Sequence, residues 1–281
     1  MKRIVVGIDG SAAASAAIRW SSSLALATGS ELTAVHAWAP PYAEIRIEDV
    51  ERSLAQEHRE MEGWLEPATE LGVTVHAEVV EGDPRQVVRD VADARAADLV
   101  VLGRTGRGGG PGLLHVGSVA EHLAHDIRRP FAVIPVDAHP SIDRILVGVD
   151  GSEAAAAAVD WVADVAPLAG AEVVAVTVDE PIAEWTPSWD ERNWRRDAVR
   201  ELEMWTKPIQ AADVDLDLVP IEHMYAADGL LGASIGRASD LVVVGTRGAG
   251  GFTGLRFGGV AMKMLHRASL PIVLVPPAEA P

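Results

Sequence analysis

The segment Ile-Val-Val-Gly-Ile-Asp-Gly-Ser at residues 4–11 returns as Ile-Leu-Val-Gly-Val-Asp-Gly-Ser at residues 145–152, an offset of 141 positions. Further pairs at the same offset are Trp20 with Trp161, Trp64 with Trp205, Gly117 with Gly258, and Pro130 with Pro271. A repeat carried by so many markers indicates two homologous halves. We therefore predict two domains, residues 1–138 and residues 143–281, joined by a short polar segment.

Within each half, short β-branched runs alternate with longer helical patterns, which is typical of a parallel sheet covered by helices on both faces. In the first half we predict strands at 4–8, 31–37, 74–80, 99–102 and 131–136, and helices at 11–28, 49–71, 84–96 and 118–127. In the second half we predict strands at 145–149, 172–178, 215–220, 241–244 and 272–275. The fold class is thus predicted as α/β, with two tandem doubly wound domains and a five-stranded parallel sheet in each. Such sheets bind ligands beyond the carboxyl ends of their strands.

The composition excludes several classes of function. The chain has 24 Lys and Arg against 41 Asp and Glu, and its net charge of −17 opposes binding to nucleic acid or to an anionic lipid surface. The absence of cysteine excludes disulfides and thiolate chemistry. The apolar runs are too short for a signal peptide or a membrane span. We expect a cytoplasmic protein that binds neither nucleic acid nor membrane.

A glycine-rich run follows the predicted fourth strand of each half and opens onto a predicted helix. Its candidate residues in the first half are Gly103, Arg104, Gly106, Arg107, Gly108, Gly117 and Ser118. Those in the second half are Gly245, Arg247, Gly248, Gly250, Arg256, Gly258 and Gly259. Glycines let backbone N–H groups approach an anion, a helix N-terminus favours negative charge, and the arginines add cations. The runs therefore predict a phosphate-binding loop in each half, with a flexible surface loop as the alternative.

Two other nucleotide motifs are excluded. The chain contains no Gly-x-x-x-x-Gly-Lys-Ser/Thr segment, so it is not a P-loop NTPase. Neither glycine run fits Gly-x-Gly-x-x-Gly, and Asp-Gly-Ser follows the first strand instead, which argues against a dinucleotide site of the Rossmann type.

The glycine spacing resembles that of the universal stress protein family in its tandem two-domain form. The family pattern is Gly, two residues, Gly, nine residues and Gly, followed by Ser or Thr, a helix and a Pro-led apolar strand. The second half keeps the spacing at Gly245, Gly248 and Gly258, and the first half nearly keeps it at Gly103, Gly106 and Gly117. The resemblance covers essentially the whole chain.

The resemblance implies a strand order of 3-2-1-4-5 in each domain and a homodimer. The short join at 136–143 and the repeat predict pseudo-twofold symmetry between the halves. The resemblance also implies an adenine nucleotide, ATP with or without Mg²⁺, held by backbone amides of the glycine loops. The aspartate after the first strand, Asp9 or Asp150, would lie near ribose or adenine. The residues implied at the ends of the first two strands are Gly7, Ala37, Gly148 and Val178.

Each half departs from the family pattern at one point. Ten residues rather than nine separate Gly106 from Gly117, and Gly259 stands where the first half has Ser118. We expect both halves to bind ATP, the first more tightly by about 1.5–3 kcal/mol, the worth of one charge-assisted hydrogen bond.

Other clusters give weaker signals. His122 and His125 have helical spacing, but with no third ligand they indicate exposed helix residues rather than a metal site. The tryptophans Trp185, Trp189, Trp194 and Trp205 indicate either a lid or partner surface or ordinary packing over the sheet.

No catalytic base or Ser-His-Asp arrangement is evident. Our first hypothesis is a regulatory protein of the stress response that senses ATP without a dedicated set of catalytic residues, and that acts on a signalling partner which the sequence does not identify. The alternative is a protein–protein interaction module with degenerate nucleotide sites. Slow ATP hydrolysis, a third reading, is supported only by the glycine loops.

Overall fold

The computed structural model describes residues 1–40, 47–108, 116–126, 128–180, 191–249 and 257–278. The chain divides into two compact units, Met1–Ser141 and Ile142–Pro281. Each unit is an α/β domain with five parallel strands.

The first unit alternates strands and helices along the chain. Its strands are β1 (Arg3–Gly7), β2 (Glu31–Trp38), β3 (Val75–Glu81), β4 (Leu99–Gly103) and β5 (Phe131–Ile134). Its helices are α1 (Ala12–Thr28), α2 (Ile47–Trp64), α3 (Glu66–Glu70), α4 (Pro84–Ala94) and α5 (Ser118–Asp126). The strand order is β3-β2-β1-β4-β5, and every pairing is parallel.

The second unit repeats this plan. Its strands are β6 (Arg144–Gly148), β7 (Glu172–Asp179), β8 (Leu216–Glu222), β9 (Leu241–Gly245) and β10 (Ile272–Val275). Its helices are α6 (Glu153–Ala169), α7 (Glu191–Trp205), α8 (Lys207–Ala211), α9 (Ala226–Gly236) and α10 (Gly259–Arg267). The strand order is β8-β7-β6-β9-β10, again parallel throughout.

The central strands are nearly continuous apolar runs because helices cover both faces of the sheet. All residues of β5 and all but the first of β1 are buried. An antiparallel β1–β4 ladder would have overturned the predicted fold, but Ile4 pairs with Leu99 in parallel register. The prediction of tandem α/β domains with parallel sheets is therefore confirmed.

The strand order places a crevice at the end of β1. Its neighbours are β2 on one side and β4 on the other, so the chain leaves these strands in opposite directions. In open α/β sheets, ligands bind at this kind of switch point.

The turn after β1 is fixed by local chemistry. The hydroxyl of Ser11 caps α1 by accepting the N–H of Ala14 at 3.1 Å. Gly29 ends the helix in the left-handed conformation. Ser152 and Gly170 do the same for α6.

Two of the predicted boundaries that differ from the structure do so because of proline. The predicted helix at 49–71 is broken at Leu65 into α2 and α3, since Pro67 is tolerated only in the first turn of a helix. The predicted strand at 131–136 ends at Ile134, because Pro135 has no N–H to donate to a neighbouring strand. No helix in the described segments is long and apolar enough to cross a membrane.

Candidate functional site

The first unit has a cavity of about 650 Å³ beyond the carboxyl ends of β1, β2 and β4. This volume lies within the range of small-molecule sites, roughly 300–1,000 Å³. The predicted residues that line it are Gly7, Asp9, Ala37, Gly103, Gly106, Arg107, Gly108, Gly117 and Ser118. Val35, Val88 and Leu102 give one part of the wall an apolar surface. The fold thus brings almost all of the predicted first-half residues to one site.

The carboxylate of Asp9 ties the glycine loop to the end of β1. Its Oδ1 accepts the N–H of Ser11 at 3.0 Å, and its Oδ2 accepts the N–H of Arg107 at 2.8 Å. A Cβ added at Gly106 would lie 2.7 Å from the same Oδ2, so only glycine allows the loop to approach this closely. Both oxygens of the Asp9 carboxylate therefore accept hydrogen bonds from backbone N–H groups of the protein.

The second unit builds the same tether. Asp150 Oδ1 accepts the N–H of Ser152 at 3.1 Å, and its Oδ2 accepts the N–H of Ala249 at 2.9 Å. A Cβ at Gly248 would lie 2.6 Å from that Oδ2. The loop-to-strand tether is thus a property of the repeat.

Gly103 and Gly245 have a packing role. A Cβ at Gly103 would lie 2.6 Å from the backbone carbon of Ala13, and one at Gly245 the same distance from that of Ala154. These glycines let the end of the fourth strand approach the first turn of the first helix. The sequence interpretation assigned them to phosphate binding, and the geometry adds a structural reason for the residue type.

A backbone hydrogen bond closes the glycine loop and aims the next helix at the cavity. Gly117 N donates to Arg104 O at 2.7 Å, and Gly258 N donates to Thr246 O at the same distance. The Cβ position of Gly117 is 3.5 Å from Gly106 N, so the two ends of the loop nearly touch. The first residue of α5 is Ser118, which is exposed. The free N–H groups of the first helical turn therefore face the cavity together with this hydroxyl.

The predicted arginines are placed differently from one another. Arg104 is buried outside the cavity lining, and its burial lowers the pKa of the guanidinium. The Arg107 guanidinium lies 4.7 Å from the ring centroid of Trp64 and 3.6 Å from a carboxylate oxygen of Glu60. Arg247 is exposed at the second cavity. Backbone amides, more than these cations, thus define the polar end of the first cavity.

A cluster beside the first cavity was not found from the sequence. The Nδ1–H of His36 donates to the carbonyl of Ile8 at 2.9 Å, and its Nε2 lies 3.3 Å from Glu57 Oε2. The ring of His36 meets that of Trp64 edge-on at 5.0 Å. The sequence offered one indication that His36 is particular to the first half, because the residue at the equivalent position in the second half is Thr177.

The second unit has a much smaller cavity, about 180 Å³, at the equivalent place. The predicted residues that line it are Gly148, Asp150, Val178, Gly245, Arg247, Gly248, Gly258 and Gly259. Gly258 caps α10 without a side-chain hydrogen bond. The predicted residues Gly250 and Arg256 lie outside the described part of the chain.

The described residues contain no group of three or more His, Asp or Glu side chains arranged to hold an ion. His122 lies 3.7 Å from Asp126, one turn along α5.

Comparison with known proteins agrees with this architecture. A model of the universal stress protein family matches residues 1–135 and again residues 141–276. A universal stress protein of Mycolicibacterium smegmatis is 30% identical over 98% of this chain and 97% of its own length. One from Mycobacterium tuberculosis is 30% identical over 96% of each chain. The crystal structure of a universal stress protein from Archaeoglobus fulgidus is similar with a TM-score of 0.77 at 16% identity, over 98% of both chains. With both halves matching the family model in turn, the chain belongs to the universal stress protein family as a tandem of two family domains.

Proposed function

We propose that the first unit binds ATP, and that the protein is a nucleotide-binding regulator of the stress response rather than an enzyme. The observation that carries the proposal is the 650 Å³ cavity, which runs from Ala37 at the end of β2 to the amide-lined turn at Gly106, Gly117 and Ser118. An elongated ligand with an apolar ring at one end and several negative charges at the other matches this lining.

The polar end suits a polyphosphate in a chain of net charge −17. Backbone N–H groups and a helix N-terminus attract anions without a nearby lysine. The close approach of Gly117 to Gly106 leaves a concave backbone surface that a side chain at residue 117 would fill. The donor set therefore fits phosphate oxygens.

The apolar end suits a purine. Val35 and Val88 line the cavity together with Ala37, whose side chain is small. Asp83 fixes the start of α4 by accepting the N–H of Arg85 at 2.8 Å, and the Arg85 guanidinium lowers the pKa of this carboxyl. The apolar end of the cavity is thus bounded by β2 and by the start of α4, which Asp83 fixes.

Calorimetric titration of the full-length chain with ATP, with and without Mg²⁺, tests the proposal. We expect binding by the wild-type chain and loss of binding in Gly117→Glu, which places an anion in the phosphate cradle. Gly63→Glu adds the same charge on α2 with no neighbouring atom within 4 Å and is the matched control. No binding by the wild-type chain at millimolar ATP would contradict the proposal.

Phosphate release measured on the same samples tests the expectation that the protein is not an enzyme. Phosphate release that occurs in the variants that bind ATP and is lost in those that do not would indicate slow intrinsic hydrolysis. Release that persists in Gly117→Glu would indicate a contaminating enzyme.

A further inference from the structure

The two cavities differ in volume although their polar ends are built alike. The aspartate tethers measure 2.8 and 2.9 Å, and the hydrogen bonds that close the loops both measure 2.7 Å. The volumes are nevertheless about 650 Å³ and 180 Å³. Side chains elsewhere in the lining differ between the two units.

One exchange places extra bulk at the end of the second strand. Val178 on β7 stands where β2 has Ala37. Its two methyl carbons are 3.1 and 3.2 Å from the Cβ position of Gly229, so the valine reaches the backbone of α9. On α4 the position of Gly229 is taken by Val87. The valine of this pair of positions thus lies on the helix in the first unit and on the strand in the second unit, where it lines the cavity.

One other apolar exchange adds bulk, because the buried Phe257 stands where Val116 lines the first cavity, although Phe257 is not among the residues that line the second. Val88 and Leu102 are replaced by Leu230 and Val244, which together contain the same number of atoms. The replacements of Pro84 by Ala226 and Ile8 by Val149 remove atoms and would enlarge the cavity. Arg247, which replaces Thr105, is larger and lines the second cavity, but it is exposed. Two residues that line the second cavity between the sheet and α9 are larger than their first-half counterparts, namely Val178 in place of Ala37 and Leu230 in place of Val88. Val178 is the one whose methyl carbons reach the backbone of α9 at Gly229.

We propose that the pair Val178–Gly229 closes the second unit to the nucleoside part of the ligand, so that the chain holds one nucleotide, in the first unit. This inference rests on the proposed function of the first cavity. It replaces the expectation that both halves bind ATP, because a cavity of 180 Å³ is smaller than the range of roughly 300–1,000 Å³ for small-molecule sites. The two halves then have different roles in spite of their shared fold.

The test exchanges the pair for its first-half counterpart, Val178→Ala with Gly229→Val, and counts nucleotides per chain by calorimetric titration with ATP. We expect one nucleotide on the wild-type chain and two on the exchanged chain. In a Gly117→Glu background, we expect none on the parent and one on the exchanged chain. Two nucleotides on the wild-type chain, or no gain after the exchange, would overturn the inference.

A rival explanation is the hydroxyl that Gly259 lacks. A Cβ at Gly259 meets no atom within 4 Å, so Gly259→Ser restores the hydroxyl without crowding. If Gly259→Ser alone gained a second nucleotide, the hydroxyl rather than Val178 would control the second unit, and the inference would be wrong.

A reciprocal variant covers the case in which the exchanged pair fails to fold. Ala37→Val should weaken ATP binding to the first unit at least tenfold, and Ala39→Val, which adds the same methyls at an exposed position off the cavity, is its control. Equal binding by both variants would contradict the inference. If the wild-type chain bound no ATP, the proposed function would fail, whereas a nucleotide gained by the exchanged pair would still support the role of Val178.

Discussion

Asp9 and Arg107 are 98 residues apart in the chain, yet the Asp9 carboxylate accepts the backbone N–H of Arg107 at 2.8 Å. The equivalent atoms of Asp150 and Ala249 are 2.9 Å apart. The tether is therefore independent of the side chain on the loop, which is arginine in one unit and alanine in the other. It fixes the start of the glycine loop with respect to the sheet.

Asp9→Asn should destabilise the first unit, because the amide NH₂ would face one of the two N–H groups that the carboxylate now accepts. Leaving a donor unsatisfied costs about 1–3 kcal/mol. Asp150→Asn should cost less, since Asp150 is exposed whereas Asp9 is partly buried. Urea unfolding and amide hydrogen exchange at Arg107 and Ala249 would measure both effects. Equal costs in the two units would contradict the argument from burial.

Trp64 packs directly over Gly10. Gly10 has a φ of 74°, and a Cβ there would lie 2.6 Å from Trp64 Cε2. Gly10→Ala therefore combines left-handed strain of about 1–2 kcal/mol with an overpacking cost of about 1–3 kcal/mol. Gly29→Ala isolates the strain, because Gly29 has a φ of 65° with no neighbour within 4 Å. If Gly10→Ala and Gly29→Ala lowered the free energy of unfolding equally within error, the Trp64 ring would move aside without a measurable cost.

The fold could be predicted from sequence because buried parallel strands read as short apolar runs, and because the repeat gave each element twice. In the sequence, Trp64 and Trp205 served only as a marker of the repeat. The structural reason for a tryptophan at these positions is a contact with glycine, since Trp64 packs against Gly10 and Trp205 packs against the equivalent Gly151. Contacts between distant residues leave no local pattern, so sequence reasoning could not supply this explanation.

The candidate site was predicted in part for the same reason. The glycine loops predicted the polar end of the cavity. The close approach of Gly106 to Asp9 and of Gly103 to Ala13, however, depends on tertiary contacts. Val178 was named from sequence as a counterpart of Ala37. Its contact with Gly229, 51 positions further along the chain, is a tertiary contact that leaves no local pattern.

The neighbouring side chains of His36 and Glu57 should be energetically coupled. The second half has Thr177 and Ala198 at these positions and packs without the pair. Glu57→Ala alone removes the partner of a histidine that is only 8% exposed, whereas His36→Thr with Glu57→Ala reproduces the second-half arrangement. We expect the double variant to be more stable than the sum of the single changes predicts, by about 0.5–3 kcal/mol. A double-mutant cycle from urea unfolding would measure the coupling, and additive single changes would count against a direct interaction.

Ser118 provides the most direct test of how the first cavity holds phosphate. Ser118→Gly copies the residue that the second half carries at 259, and removes a hydroxyl from the first turn of α5 while leaving the backbone donors in place. The affinity for ATP should fall by about 0.5–1.5 kcal/mol, or by up to 3 kcal/mol if the hydroxyl bonds a charged phosphate oxygen. Ser118→Thr keeps the hydroxyl and is the matched variant, expected to restore most of the affinity. The affinity for adenosine, which has no phosphate, should be the same in all three proteins. A parallel loss of adenosine binding in Ser118→Gly would trace the effect to distortion of α5, and unchanged ATP affinity would mean that backbone amides alone hold the phosphates.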